Sequence, residues 1–183
     1  RFFVVDDRGR FVPGDFVTAL MGCYMLERDP GGKIVYDVRC SWAVRDLISA
    51  AGGTPLIERV GHSFLKPRIF EEGAVYAGEL SGHYYFRDFF GADSGVVPSL
   101  VMLEMLSSYG AKLSQLLTPL EKKYFLSSEI NSRVDDPAAK FFVYVARMFF
   151  LRYAEGRDRQ LQQHIIIPSK ISSSSSSSSA SPS

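Results

Sequence analysis

Between residues 33 and 109 the chain alternates short apolar runs with longer segments whose apolar residues recur at helical spacing. Residues 33–38, 54–60 and 74–77 read as strands. Residues 42–51, 63–72 and 96–109 read as helices, each closed by glycine at Gly52-Gly53, Gly73 and Gly110. Glycine just past the last periodic residue is a helix stop, because it adopts the left-handed conformation at no steric cost. Strands that alternate with helices of about ten residues imply a mostly parallel sheet layered with helices. This is the feature that most narrows the choice of fold: α/β, with a single mixed, mostly parallel sheet.

The segments around this unit are less regular. Residues 2–5 and 10–12 are apolar and flank Asp6-Asp7-Arg8-Gly9, which reads as a hairpin. Asp6 and Asp7 read as turn residues beside a glycine rather than metal ligands. Gly14-Asp15 is expected to cap a helix carrying Phe16, Ala19, Leu20, Cys23 and Leu26. Residues 113–117 read as a further short helix and 124–134 as a last extended segment. Residues 141–153 are strongly apolar but interrupted by Arg147 and Arg152. That run is too short for a bilayer, which needs about 20 residues, and reads as a core or docking helix. Eight consecutive serines at 172–179 have nothing to bury and are expected to be disordered. The chain therefore divides into a domain over 1–140, a helix plus linker over 141–171 and a serine-rich tail over 172–183.

The charges balance, with 21 basic and 20 acidic residues. A net charge of +1 gives no global attraction to nucleic acid or to a membrane surface. An anionic ligand would have to be held by a local cluster. The two cysteines, Cys23 and Cys40, form neither a C-x-x-C pair nor a Cys/His metal spacing and read as reduced thiols of a cytoplasmic protein. The first residues, which lack Met and a signal-peptide pattern, are expected to begin in the middle of something longer.

In an open α/β sheet, ligands bind outside the carboxyl ends of the strands. Each of three successive strands delivers polar groups to that rim. The first is followed by Arg39, the second by Gly61 and His62 with Lys66 one turn further on, and the third by Gly78, Glu79, Ser81, Gly82 and His83. Arg39, His62, Lys66 and, as a further candidate, Arg59 suit a phosphate. Glu79 and Ser81 suit sugar hydroxyls. Gly78 and Gly82 are expected to permit unusual backbone angles and close approach of a ligand. Other roles stay open for each residue alone: His62 could cap the following helix, Arg39 could pair with Asp37 or Glu58, and Glu79 could be a buried strand-end carboxylate bonded to backbone N–H groups. Convergence on one rim favours a phosphorylated, polyhydroxylated ligand.

Four motifs in order carry a family resemblance over about residues 1–140. Gly78-Glu79-Leu80-Ser81-Gly82-His83 resembles the G-E-M-S-G-H loop of the phosphomannomutase/phosphoglucomutase enzymes, with Leu80 for the usual Met. Asp37-Val38-Arg39-Cys40-Ser41 resembles the segment bearing a phosphate-contacting Lys or Arg. Gly61-His62-Ser63-Phe64-Leu65-Lys66 is similar to the family's G-H-S-x-I-K segment. Arg1-Phe2-Phe3-Val4-Val5-Asp6 is similar to the stretch after the D-x-D-x-D-R metal loop, with Arg1 as that loop's last residue.

The resemblance implies the third, sugar-binding domain of a four-domain phosphohexomutase. Such an enzyme interconverts hexose 1-phosphate and hexose 6-phosphate of mannose or glucose, through a phosphoserine and a hexose 1,6-bisphosphate. Glu79 and Ser81 would hold the ring 3- and 4-hydroxyls in either orientation. His62, His83, Arg39, Lys66 and Arg1, with Gly78 and Gly82, complete the implied substrate site. Mg²⁺ would sit on aspartates preceding Arg1. The sequence has no T-A-S-H-N-P-like phosphoserine segment and no R-x-S-N-T-E-P-like phosphate clamp. The resemblance therefore implies a chain that is inert without the missing domains, with a hexose phosphate as its partner and neither nucleic acid nor membrane. Two alternatives are a non-catalytic sugar-phosphate-binding module and a phosphoglucosamine mutase-type enzyme, whose loop typically reads G-E-Q-S-G-H.

Overall fold

A computed structural model describes residues 1–125, all of which fall in the first of the two units into which the chain divides, Arg1–Ser128. The expectations for residues 126–134, for a helix over 141–153 and for a disordered serine tail lie outside the described residues.

The chain opens with a hairpin of two short antiparallel strands, β1 (Val4–Val5) and β2 (Phe11–Val12). Asp6 builds its turn. One carboxylate oxygen accepts the backbone N–H groups of Arg8 and Arg10, and the other accepts the Arg10 guanidinium at 2.7 Å. Then follow α1 (Gly14–Arg28), β3 (Lys33–Asp37), α2 (Trp42–Ala50), β4 (Thr54–Glu58), α3 (His62–Glu72), β5 (Tyr76–Gly78), β6 (Tyr84–Phe86), a single 3-10 turn (Arg87–Phe89), α4 (Val96–Tyr109) and α5 (Leu113–Lys123).

The main sheet has the order β4-β3-β5-β6. β3 runs parallel to both β4 and β5, and β6 closes the edge antiparallel to β5. The sheet is thus mixed and mostly parallel, as the alternation of elements predicts. Successive strand residues face opposite sides. Leu56, Val35, Ala77 and Tyr85 stand in register across the four strands and pack against Leu65 and Ile69 of α3. The alternate row, Ile34, Tyr36, Tyr76, Tyr84 and Phe86, faces the other layer, where α1 packs on β5 and on α2.

Helix α1 lies between the sheet on one side and α4 and α5 on the other. That position explains why 11 of its 15 residues are buried and why it has no polar face. Its outer contacts with α4 include the edge-to-face pair Tyr24–Tyr109 and the Tyr109 hydroxyl donating to Glu27.

Two local expectations are corrected. Asp15 does not cap α1. Pro13 precedes the helix, and Asp15 accepts the backbone N–H groups of Phe16 and of Ser41, linking α1 to the start of α2. Helix α5 runs to Lys123 rather than stopping at Leu117, even though Pro119 lies inside it. Its buried residues Leu113, Leu117 and Leu120 continue one apolar face past the proline, and packing outweighs the lost backbone bond.

Candidate functional site

β3, β4 and β5 end side by side, so the segments that follow them start from one rim. Asp37 and Glu58 are register partners, as are Tyr36 and Gly78. After β3 the chain turns at once, the Cys40 N–H bonding to the Asp37 carbonyl. After β4, Gly61 takes φ 116° and α3 begins at His62. After β5, three residues (Leu80, Ser81 and Gly82) reverse the chain into β6. The Glu79 N–H bonds the His83 carbonyl, and Gly82 has φ 79°. A left-handed third position is the usual geometry of a three-residue hairpin loop. The motif of residues 78–83 is therefore a hairpin loop.

Gly61, His62, Lys66, Glu79, His83, Tyr85 and Asp93 line one cavity of about 260 Å³. The buried acid among them is Glu79, 4% exposed. The Tyr85 hydroxyl donates to Glu79 Oε1 at 2.6 Å. Ser81 Oγ lies 3.2 Å from Oε2, and the Arg39 guanidinium lies 3.6 Å from it. Glu79 is thus bonded by side chains, not by the backbone N–H groups that a simple strand-end carboxylate would use.

The surrounding bonds assign proton positions. Arg1 Nε points at His83 Nε2 at 3.4 Å. An arginine only donates, so Nε2 accepts and the ring proton sits on Nδ1. Nδ1 lies 3.1 Å from Ser81 Oγ and donates to it. The Ser81 hydrogen is then directed to Glu79. The Arg39 guanidinium also points at Ser81 Oγ, at 3.4 Å. A chain of hydrogen bonds therefore runs Arg1, His83, Ser81, Glu79, with Asp93 3.8 Å from His83 Nε2.

Electrostatics reinforce the geometry. Arg39 is held charged, its guanidinium bonded to Asp37, which outweighs the opposing effect of burial. Burial pushes the Tyr85 hydroxyl well above the usual tyrosine range, and its bond to Glu79 pushes it further. Tyr85 is thus a fixed donor, and Glu79 keeps free lone pairs for other donors. Glu79 and Asp93 supply acceptors, while Lys66, Arg39 and Arg1 supply positive charge. Such a set can bind hydroxyls and an anionic group together.

The structure brings Glu79, Ser81, His83, His62 and Lys66 together, with Arg39 and Arg1 bonded into the cluster from its edge. Arg59 is not among them. Its guanidinium lies over the Phe64 ring at 4.4 Å, on a separate shallow surface with Val38, Ile57 and Val60. Of the two loop glycines, Gly82 alone takes the unusual backbone angle expected of them. What approaches it closely is the chain's own Phe2 carbonyl and Phe3 ring. Gly78 leaves room for Thr18 of α1 beneath the strand.

Two residues lining the cavity, Tyr85 and Asp93, are missed by sequence reasoning, whereas Asp37 pairs with Arg39 as one of the readings of the sequence allows. Tyr85 was findable by alternation, since Tyr84 and Tyr85 must face opposite sides of β6. Asp93 bridges to Tyr85 in backbone pairing and had no local signal. Among the described residues no group of three or more His, Cys, Asp or Glu could hold a metal ion, and no helix is long and apolar enough to cross a membrane.

Known proteins resemble this chain in sequence and fold. The family profile described as "Phosphoglucomutase/phosphomannomutase, alpha/beta/alpha domain III" matches residues 13–124. A phosphomannomutase of Salmonella montevideo is 41% identical over 139 residues, 76% of this chain and 30% of the relative. A Xanthomonas campestris protein named for phosphohexose mutases is also 41% identical over 139 residues, 31% of its length. The chain thus spans about a third of the length of these relatives. A solved phosphoglucomutase/phosphomannomutase family protein from Burkholderia thailandensis superposes with a TM-score of 0.60 at 34% identity, covering 63% of this chain and 26% of the other. Parafusin, a phosphoglucomutase from Paramecium, shares the fold with a TM-score of 0.55 at 13% identity, over 64% of this chain and 22% of its own. With 112 contiguous residues matched and the loop of Glu79 seated at the strand ends, the chain belongs to the phosphoglucomutase/phosphomannomutase family as its α/β/α domain III.

Proposed function

We propose that residues 1–140 are the sugar-binding domain of a phosphohexomutase that interconverts hexose 1-phosphate and hexose 6-phosphate, of mannose or glucose, in the cytoplasm. The observation that supports it is the convergence of Glu79, His83, His62 and Lys66 on one cavity at the carboxyl ends of the strands, with Ser81 bonded to both Glu79 and His83.

In this reading Glu79 accepts hydrogen bonds from two adjacent ring hydroxyls through its oxygens, with Tyr85 fixing its plane. Ser81 exchanges its bond to Glu79 for one to the sugar. Lys66, Arg39, Arg1 and His62 face the phosphate. A grip on ring hydroxyls that touches neither phosphorylated carbon suits both orientations of a hexose 1,6-bisphosphate, which a transfer through a phosphoserine requires. The phosphoserine and the rest of the pocket belong to the other domains of the enzyme. The donor set of the described residues does not fit Mg²⁺, whose ligands would come from elsewhere in the enzyme.

The test is titration of the 183-residue chain with glucose 1-phosphate and mannose 1-phosphate, followed by calorimetry or NMR. Glu79→Ala should weaken binding by about tenfold or more, the loss of one well-placed charged hydrogen-bonding group. Equal binding by the wild-type chain and Glu79→Ala would overturn the assignment.

A further inference from the structure

Asp37 is fully buried at the end of β3, yet it does not line the cavity. A buried carboxylate must have its charge and lone pairs satisfied. Asp37 meets that demand with four bonds. Oδ1 accepts the Arg39 backbone N–H at 2.8 Å and Arg39 Nε at 3.1 Å. Oδ2 accepts the Arg39 terminal nitrogen at 2.9 Å and the Leu80 backbone N–H at 2.8 Å. The last bond spans 43 residues of sequence and ties the hairpin loop to a different strand.

The consequence is geometric. The two-pronged grip fixes the plane of the Arg39 guanidinium, and that plane brings its terminal nitrogen to both Ser81 Oγ and Glu79 Oε2. The bond to Leu80 holds the loop between Glu79 and Ser81. One carboxylate therefore sets the position of the cation and of the loop that carries the acceptor. We infer that Asp37 is a positioning residue of this site, clamping Arg39 and the 79–83 loop to the sheet so that Arg39, Ser81 and Glu79 meet at one point. The proposal rests on the sugar-phosphate reading of the site only for what is bound there; the clamp is a property of the chain.

Asp37→Asn in the 183-residue chain tests it. An asparagine presents N–H groups in place of one oxygen, so one of the two backbone donors always faces a donor. Hydrogen exchange is followed at Leu80 and, as internal control, at Val35 in the middle of β3. A merely stabilising ion pair would speed both amides by the same factor, through global unfolding. The clamp predicts that Leu80 speeds up by about tenfold or more beyond Val35, and that glucose 1-phosphate binds correspondingly more weakly. Equal acceleration of the two amides overturns the inference. So does unchanged glucose 1-phosphate affinity in a variant whose loop has loosened. Selective acceleration of Leu80 in a chain whose wild-type form binds no hexose phosphate supports the clamp and overturns the proposed function instead. If Asp37→Asn does not fold, the wild-type chain still decides the clamp. Leu80, in an open hairpin loop, should exchange at least about tenfold slower than an unstructured amide, and a free-chain rate refutes the clamp.

Discussion

The Tyr85 hydroxyl donates to Glu79 Oε1 across 2.6 Å, joining a residue of the antiparallel edge strand to the acceptor at the centre of the rim. Both side chains are buried. Removing the hydroxyl leaves a buried carboxylate short of a donor, and a hydrogen bond to a charged group contributes about 1.5–3 kcal/mol. Tyr85→Phe should therefore lower the unfolding free energy by about that amount in urea titration. It should also weaken sugar-phosphate binding, while Tyr84→Phe, whose ring faces the opposite layer, should leave binding unchanged.

Gly14 packs its backbone against the loop. A Cβ there would fall well inside contact distance of the Leu80 carbonyl, which is backbone and cannot swing away. Gly14→Ala should cost about 1–3 kcal/mol as overpacking and displace the loop. The backbone amide resonances of Leu80 and Ser81 should shift further than those of α4. A variant as stable as wild type, with those resonances unmoved, would show that the loop has slack.

Stability should fall steeply in alkali. Burial raises the folded-state pKa of Tyr76, Tyr84 and Tyr85, all well above the ordinary value of 10.0. Burial also pushes the Cys23 thiol up to about 12 from 9.0. Groups with raised folded values bind more protons when folded than when unfolded. Their contribution is complete below the unfolded value and is lost as pH rises above it. The urea midpoint should decline from about pH 9 upward. Tyr85→Phe should make that decline shallower.

Acid should act through other groups. Glu72 is lowered by its bond to Lys33 and by Arg68, and Asp7 by the Ser114 backbone N–H. Lowered carboxylates contribute above their unfolded values and lose that contribution as pH falls through the folded ones. Stability should therefore decline below about pH 4. Ser114→Ala, which removes one of the two bonds to Asp7, should reduce the part of that loss due to Asp7.

Both thiols should resist labelling in the native chain. Cys23 and Cys40 are free and buried, and burial disfavours the thiolate that reacts. A thiol-reactive dye at pH 8 should react with neither at a measurable rate until denaturant is added, and then with two. Fast native labelling of Cys40 would mean that the turn after β3 opens readily.

Much of this architecture was legible in the residues. Strand and helix periods differ, and glycine stops such as Gly73 and Gly110 are local chemistry, so the β-α alternation from Lys33 to Tyr109 reads directly. The rim positions of Arg39, His62 and Glu79 followed because parallel strands joined by helices must end on the same side. Asp15 and α5 were misjudged because each is decided by a partner distant in sequence: Ser41 for Asp15, and the face of α1 for the turns beyond Leu117.

By itself the sequence determined the α/β layering, the edge on which polar groups gather and the loop that bears Glu79, since each depends on residues near one another in the chain. Only the tertiary structure decided which of those groups act together. Tyr85 reaching Glu79, Asp37 holding both Arg39 and Leu80, and Arg59 turning aside to Phe64 are set by strand order and register. Hydrogen bonds extend about 3 Å and their worth depends on burial, so these pairings exist only once the sheet has brought the strand ends together.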